Sequence, residues 1–110
     1  MEFDSKTAQI QVPTATVSQD TGRAACFIVL TGSQAGRMYK LERSEMLIGR
    51  SSEAIIRIGD DGVSRNHARI ERDSGGVIKI VDLESTNGTF CNGQRVAQQT
   101  LQDGDKIQIG

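Results

Sequence analysis

The chain has 110 residues, of which 13 are Lys or Arg and 14 are Asp or Glu, giving a net charge of -1. That is room for one domain, and the charge balance excludes a protein held to DNA or RNA mainly by its overall field. Hydrophobic residues make up 36% of the chain, with 12 glycines besides, below the usual range of about 45–50%, so part of the chain is expected to stay outside the core.

Residues 1–24 are rich in Ser and Thr, hold the single proline at Pro13, and offer only Ile10, Val12 and Val17 as β-branched aliphatics. They read as a flexible N-terminal tail. Met1-Glu2-Phe3-Asp4 is neither basic nor apolar, and the longest apolar run, Ala24 to Leu30, falls far short of the roughly 18 residues of a membrane span. No membrane partner is expected, and a cytoplasmic location is.

From Ala25 onward, short apolar stretches alternate with turn signals at Thr31–Gly36, Ser51-Ser52, Gly59–Gly62, Asp73–Gly76, Ser85–Gly88, Asn92-Gly93 and Asp103-Gly104. Their spacing, close to about 8–12 residues, fits an all-β sandwich. Strands are predicted over 25–31, 36–41, 45–49, 55–58, 67–73, 77–83, 89–92, 95–97 and 105–109. Period-two alternation supports them: Ala68 and Ile70 with Arg69 and Glu71, Ile78 and Ile80 about Lys79, Ile107 and Ile109 about Gln108. The Leu41–Leu47 stretch has helical propensity but is too short to stand as a helix, and reads as strand, turn, strand. Asn92-Gly93 signals a type I′ hairpin, which wants positive φ at both central residues. The fold class is therefore all-β, a sandwich of two twisted, mainly antiparallel sheets. With Phe3, Phe27, Tyr39 and Phe90 as the only aromatics, Ile, Val and Leu must fill it.

Enzymatic chemistry finds little support. Cys26, Cys91 and His67 share no metal-ligand spacing, so no metal and no cofactor is expected, and the two cysteines read as reduced thiols. Ser64 and His67 stand three apart, which on an extended chain points them to opposite faces. No acid stands beside His67 to orient it as a base. The glycine patterns of nucleotide-binding loops are missing from the sequence. Arg57, Arg69 and Arg72 read as a wet strand face balanced by Glu53, Asp60, Asp61 and Glu71, so no nucleic-acid stripe is assigned.

Three polar loops remain: Gly49-Arg50-Ser51-Ser52, Val63 to Ala68, and Asp82 to Thr89. Together they suit a phosphoryl group, which carries a charge of about -1.5 to -2 and three acceptor oxygens. Arginine supplies a planar fork of donors, Ser and Thr add neutral donors, and Asn can both donate to and accept from a peptide backbone.

The order Gly49-Arg50, Ser64-Arg65-x-His67, Ser85-Thr86-Asn87-Gly88 and Asn92-Gly93 resembles the forkhead-associated (FHA) domain over residues 25–110. The resemblance implies a β-sandwich that binds phosphothreonine peptides with loops at one end. Carried onto this chain, Arg50 and Ser64 hold the phosphate with help from Thr86, Asn87 bonds the ligand's main chain, and Arg65 lines the site. Gly49, permitting a turn, His67, hydrogen-bonding the binding loops, and Gly88, Asn92 and Gly93 give structural support. The implied partners are a phosphothreonine protein or peptide and an upstream Ser/Thr kinase. The alternative is a scaffold that docks proteins without phosphorylation, and a third reading has a phosphorylated Thr14, Thr16 or Thr21 occupying its own site.

In a plain meander, the loops after strands 45–49 and 55–58 would lie about 13 Å apart, a four-residue strand length. The sheet-crossing topology implied by the resemblance brings Arg50 and Ser64 together. The resemblance also implies one more strand after Asp103–Gly110, pairing beside the first. Its lack suggests a fragment of a longer protein, or an edge covered by the tail or by a second molecule. Leu101 to Gly110 is similar to the end of FHA domains that precede GGDEF diguanylate cyclase domains, which implies regulation of an attached C-terminal output domain.

Overall fold

The computed structural model describes residues 12–20 and 24–110, and every regular element within them is a strand. One sheet has the order β3 (Met38–Lys40), β2 (Ala24–Thr31), β1 (Thr14–Asp20), β11 (Lys106–Ile109), β8 (Thr89–Cys91), β9 (Gln94–Arg95). The other has β10 (Gln98–Leu101), β7 (Ile78–Asp82), β6 (Ala68–Arg72), β4 (Glu45–Gly49), β5 (Ile56–Arg57). Alternate residues of the two inner faces make one core. Val17, Phe27, Val29, Ile107 and Ile109 come from the first sheet and Ile48, Ile56, Ile70, Ile78 and Ile80 from the second. Full burial of each such side chain contributes about 1.5–3 kcal/mol. The outer face of the second sheet is wet, with Arg69 paired to Glu71 at 2.8 Å and to Glu45 at 3.6 Å. No helix among the described residues is long and apolar enough to cross a membrane.

The tail expected over residues 1–24 does not hold for Thr14–Asp20, which form β1 between β2 and β11. Pro13, Ala15 and Val17 are buried and alternate with half-buried Thr14 and Thr16, so small apolar residues in period two do what a count of bulky aliphatics undervalues. Thr14 N–H donates to Thr31 Oγ1 at 3.0 Å and Thr16 Oγ1–H to the Asp105 carbonyl at 2.8 Å. The edge beside the first predicted strand is thus covered by the chain's own N-terminal segment. Thr14 and Thr16 are tied into a sheet, while Thr21, the third threonine of the self-binding reading, lies outside the described residues. β10 also went unpredicted: Gln98-Gln99-Thr100-Leu101 buries only Leu101, which leaves no alternation to detect.

All strand pairs run antiparallel except β4 with β5, which pair in parallel. Parallel strands end at the same end of a sheet, so the loops that follow β4 and β5 share one end of the sandwich. β6 starts and β7 ends there as well, since each pairs antiparallel with its neighbour. One parallel pair thus gathers the 50–55, 58–67 and 83–88 segments.

Candidate functional site

The segments after β4 and β5 are laced together by main chain: Arg50 N–H donates to the Ser64 carbonyl at 3.1 Å, and Ser51 N–H to the Arg65 carbonyl at 3.1 Å. The close approach is made at Gly49. A Cβ there would meet the Arg65 carbonyl oxygen at 2.0 Å. Gly49 was expected to permit a turn; instead it is the last residue of β4 and leaves room for a crossing backbone. Arg50 is exposed, and its Nε donates to the Val63 carbonyl, which leaves its terminal nitrogens for other partners.

Ser64 meets the third segment directly, since Thr86 N–H donates to Ser64 Oγ at 3.0 Å. The Ser64 hydroxyl proton is left to donate elsewhere. Arg50, Ser64 and Thr86 are therefore neighbours where the three loops meet, at what is the candidate binding cleft. Asn87 Nδ2 donates to the Gly62 carbonyl at 2.9 Å, leaving its carbonyl oxygen and second N–H for a ligand. Its far side borders an open hollow of about 780 Å³ that is also lined by Asp61, Gly62 and Phe90. Arg65 is exposed beside the cleft and carries no side-chain partner among the described residues.

His67 is fully buried beneath these loops. Ser64 N–H donates to its Nδ1 at 3.0 Å and its Nε2 lies 2.8 Å from the Gly88 carbonyl. Nδ1 is thus the acceptor and Nε2–H the donor, a neutral imidazole clamping two site loops. Burial is the main influence and pushes its pKa below the ordinary value; the Gly88 carbonyl and the charge of Asp82 offset that only in part. Ser64 and His67 were expected to point apart because that reading assumed an extended chain. Residues 58–67 are loop, and the contact uses the serine's main chain rather than its hydroxyl.

The floor under Thr86 and Asn87 is Asp82, a residue that sequence reasoning left out of the site. Its Oδ1 accepts from Ser85 Oγ at 2.6 Å and Thr89 Oγ1 at 2.8 Å, and its Oδ2 accepts from Ser85 N–H at 3.2 Å. Burial alone would raise the Asp82 carboxyl, but the bonds from Ser85 and Thr89 hold it below its ordinary value. Ser85 Oγ in turn accepts from Gly88 N–H at 2.9 Å. Gly88 stands at φ 93° with Arg95 against it, where a Cβ would come within 2.8 Å of Arg95 Nε. An acid seven residues before a Thr, with Ser between, was the available signal.

Asn92 and Gly93 have φ 50° and 87°, the conformation a type I′ turn requires. They follow β8 and so lie at the opposite end of the sandwich from the cleft, tied to β11 by Lys106 N–H donating to Asn92 Oδ1 at 2.9 Å and to the turn before it by Asn92 Nδ2 donating to Asp105 Oδ1 at 3.0 Å. The structure does not bring this pair into the site. Among the described residues, no group of three or more His, Cys, Asp or Glu is placed to hold a metal ion.

The sequence matches the family model "FHA domain" over residues 46–110. It is 45% identical over 76 residues to the FHA domain-containing protein FhaA of Mycobacterium tuberculosis, covering 69% of this chain and 14% of that protein. It is 35% identical over 109 residues to the oxoglutarate dehydrogenase inhibitor of Corynebacterium glutamicum, covering 99% of this chain and 75% of the other. The glycogen accumulation regulator GarA of Mycolicibacterium smegmatis is 37% identical over 87 residues, covering 79% of this chain and 54% of GarA. The chain thus spans about half of GarA and a small part of FhaA. Among solved structures, the FhaA FHA domain complexed with the intracellular domain of Rv3910 superposes with TM-score 0.66 at 37% identity, covering 89% of this chain and 91% of that one. A structure solved for phosphothreonine-dependent FHA domain interactions gives TM-score 0.62 at 31% identity, covering 90% and 94%.

Proposed function

The chain belongs to the forkhead-associated family, and from that membership and the Arg50 cleft we propose that it is a non-catalytic docking module reading phosphothreonine in partner proteins. The observation that carries the reading is the meeting of Arg50, Ser64 and Thr86 with donors unspent. These are the terminal guanidinium nitrogens of Arg50 and the hydroxyl protons of Ser64 and Thr86, the donor types that three phosphoryl oxygens need. Charge-assisted hydrogen bonds contribute about 1.5–3 kcal/mol each. Two or three of them favour phosphorylated over plain threonine by about 3–5 kcal/mol, on the order of a hundred- to a thousandfold. The threonine methyl adds about 1 kcal/mol over serine in a small apolar contact. Asn87 grips the peptide backbone beside the phosphate, and Arg65 contributes to the positive rim.

A Ser/Thr kinase acting upstream supplies the ligand, and the module works in the cytoplasm, where Cys26 and Cys91 stay reduced as the free thiols seen in the structure. Regulation passes to whatever the module docks or carries. The Leu101–Gly110 run that suggested a C-terminal diguanylate cyclase is fully used by the fold, as the end of β10, a turn with Gly104 at φ 89°, and β11. The proposal stops at phospho-dependent docking. Calorimetric titration of Arg50→Ala with a phosphothreonine peptide tests it. Binding falls below detection while the unfolding transition is unchanged; undiminished affinity in the folded variant overturns the reading, and equal binding of a phosphatase-treated partner favours the scaffold alternative.

A further inference from the structure

β3 is an edge strand of one sheet and β5 an edge strand of the other. Between them runs an open groove of about 350 Å³ lined by Gln34, Arg37, Tyr39, Ile55, Arg57 and Gly59. Two guanidinium groups face this groove. Arg37 lies 5.8 Å from the centre of the Tyr39 ring and donates from Nη1 to Gln34 Oε1 at 3.3 Å, which sets the plane of its fork. Arg57 donates from Nε to the main-chain carbonyl of Arg50 at 3.3 Å, so the groove opens directly beside the Arg50 cleft. Neither arginine forms an ion pair among the described residues. The aspartate closest in the chain, Asp60, has its carboxylate turned to the Ser33 N–H and hydroxyl. Ile55, 39% exposed, supplies an apolar wall.

Two unpaired guanidinium groups, one oriented on an aromatic ring, form a poor solvated face and a good anion seat. We propose that this groove is a second anion site, which takes a phosphorylated or acidic side chain of the same peptide whose phosphothreonine is held at Arg50. The proposal rests on the phosphothreonine reading of that cleft. Exposed arginines hold a free anion weakly, but an anion tethered a few residues from an anchored phosphate arrives at high effective concentration. The module would then favour ligands phosphorylated twice, or phosphorylated once within an acidic stretch.

The test is calorimetric titration of the full chain with synthetic peptides. One carries phosphothreonine alone; a set adds a phosphoserine, or a glutamate, at each of the four positions on either side. On one side of the phosphothreonine, the second phosphate tightens binding about tenfold and the glutamate by less, and added salt erodes the gain because the site is exposed. Arg37 is held by Gln34 and Tyr39 and not by the Arg50 cleft, and R37Q removes the gain and brings the doubly charged peptides back to the affinity of the singly phosphorylated one. A gain at no position, or a gain that survives in both R37Q and R37E, overturns the proposal. If the singly phosphorylated peptide does not bind at all, the Arg50 reading itself fails, and the second site falls with it.

Discussion

The main-chain N–H of Thr86 rests on the hydroxyl oxygen of Ser64 at 3.0 Å, a contact between residues 22 apart that pins two loops at one point beside Arg50. Ser64→Ala removes both this acceptor and a hydroxyl donor. The Thr86 N–H is near solvent, so water replaces the lost partner and the fold loses no more than about 1 kcal/mol. Phosphopeptide affinity drops about tenfold or more, as one donor goes and the Thr86 loop is freed. Paired urea unfolding and calorimetric titration separate the two effects. A stability loss as large as the binding loss would place Ser64 in the scaffold instead.

Gly49→Ala acts on the fold first. The added Cβ would lie 2.0 Å from a carbonyl oxygen of a crossing backbone, and no flexible side chain is available to give way. A loss of about 3 kcal/mol or more is expected, at the upper end of overpacking costs. Thermal unfolding reads it, and an unchanged Tm would mean that the Gly49–Arg65 crossing is loose.

Asp82→Ala strips the acceptor from the Ser85 and Thr89 hydroxyls, the latter on a residue with no exposed surface. Bonds to a charged acceptor are worth about 1.5–3 kcal/mol, and a buried orphan hydroxyl adds its own desolvation cost, so stability falls by about 3 kcal/mol. The Ser85–Gly88 turn loosens with it. At temperatures where the variant is still folded, phosphopeptide binding weakens although Asp82 touches no ligand. Amide exchange at Gly88, whose N–H is held by Ser85, speeds up in step.

The site was legible in the sequence to the extent that its residues carry chemistry in short runs. Arg50, Ser64 and Thr86 stand as neighbours, a convergence that the spacing of the polar loops did not carry and only the resemblance implied. The hidden parts are those made by convergence. Asp82 is an ordinary acid until the fold sets Thr89 over it, and Gly49 reads as a turn former until Arg65 crosses it. Strands with bulky alternating residues were found to within one or two positions. β1 was missed because Ala15 and Val17 are small, and β10 because three of its four residues are exposed and polar, with Leu101 alone reaching the core.

Stability should fall with acid in a window set by His67. Its pKa is lowered in the folded state from 6.5, so below 6.5 the unfolded chain takes up a proton that the native chain refuses. Stability is then full above 6.5 and declines as pH falls from there towards the folded-state pKa. Protonation would set two N–H groups, those of Nδ1 and Ser64, against each other. Asp82 is also lowered, from 3.8, and its contribution is lost only in stronger acid, below 3.8. Urea midpoints measured between pH 7.5 and 5 fall in the native chain and stay flat in His67→Gln, whatever that variant's absolute stability. A parallel decline in both chains would remove His67 as the cause.

Deletion of residues 1–20 sets the tail reading against the strand reading. A tail can go without cost. β1 cannot, because its removal uncovers the inner-face side chains beside Ala15 and Val17, both about fully buried, and leaves β2 and β11 with open hydrogen-bonding edges facing each other across a strand-wide gap. Loss of the Val17 burial alone costs about 1.5–3 kcal/mol. The unpaired N–H and C=O groups along two edges add to that and invite pairing with other copies. The deleted chain should therefore unfold at a markedly lower temperature and associate at high concentration, by calorimetry and light scattering. If its scattering and Tm match those of the full chain, β1 contributes nothing to the fold and the first sheet is complete without it. Val17→Asp offers the same test within the full-length chain: a charge introduced into that core lowers Tm sharply if β1 is packed and leaves it unmoved if the segment is free.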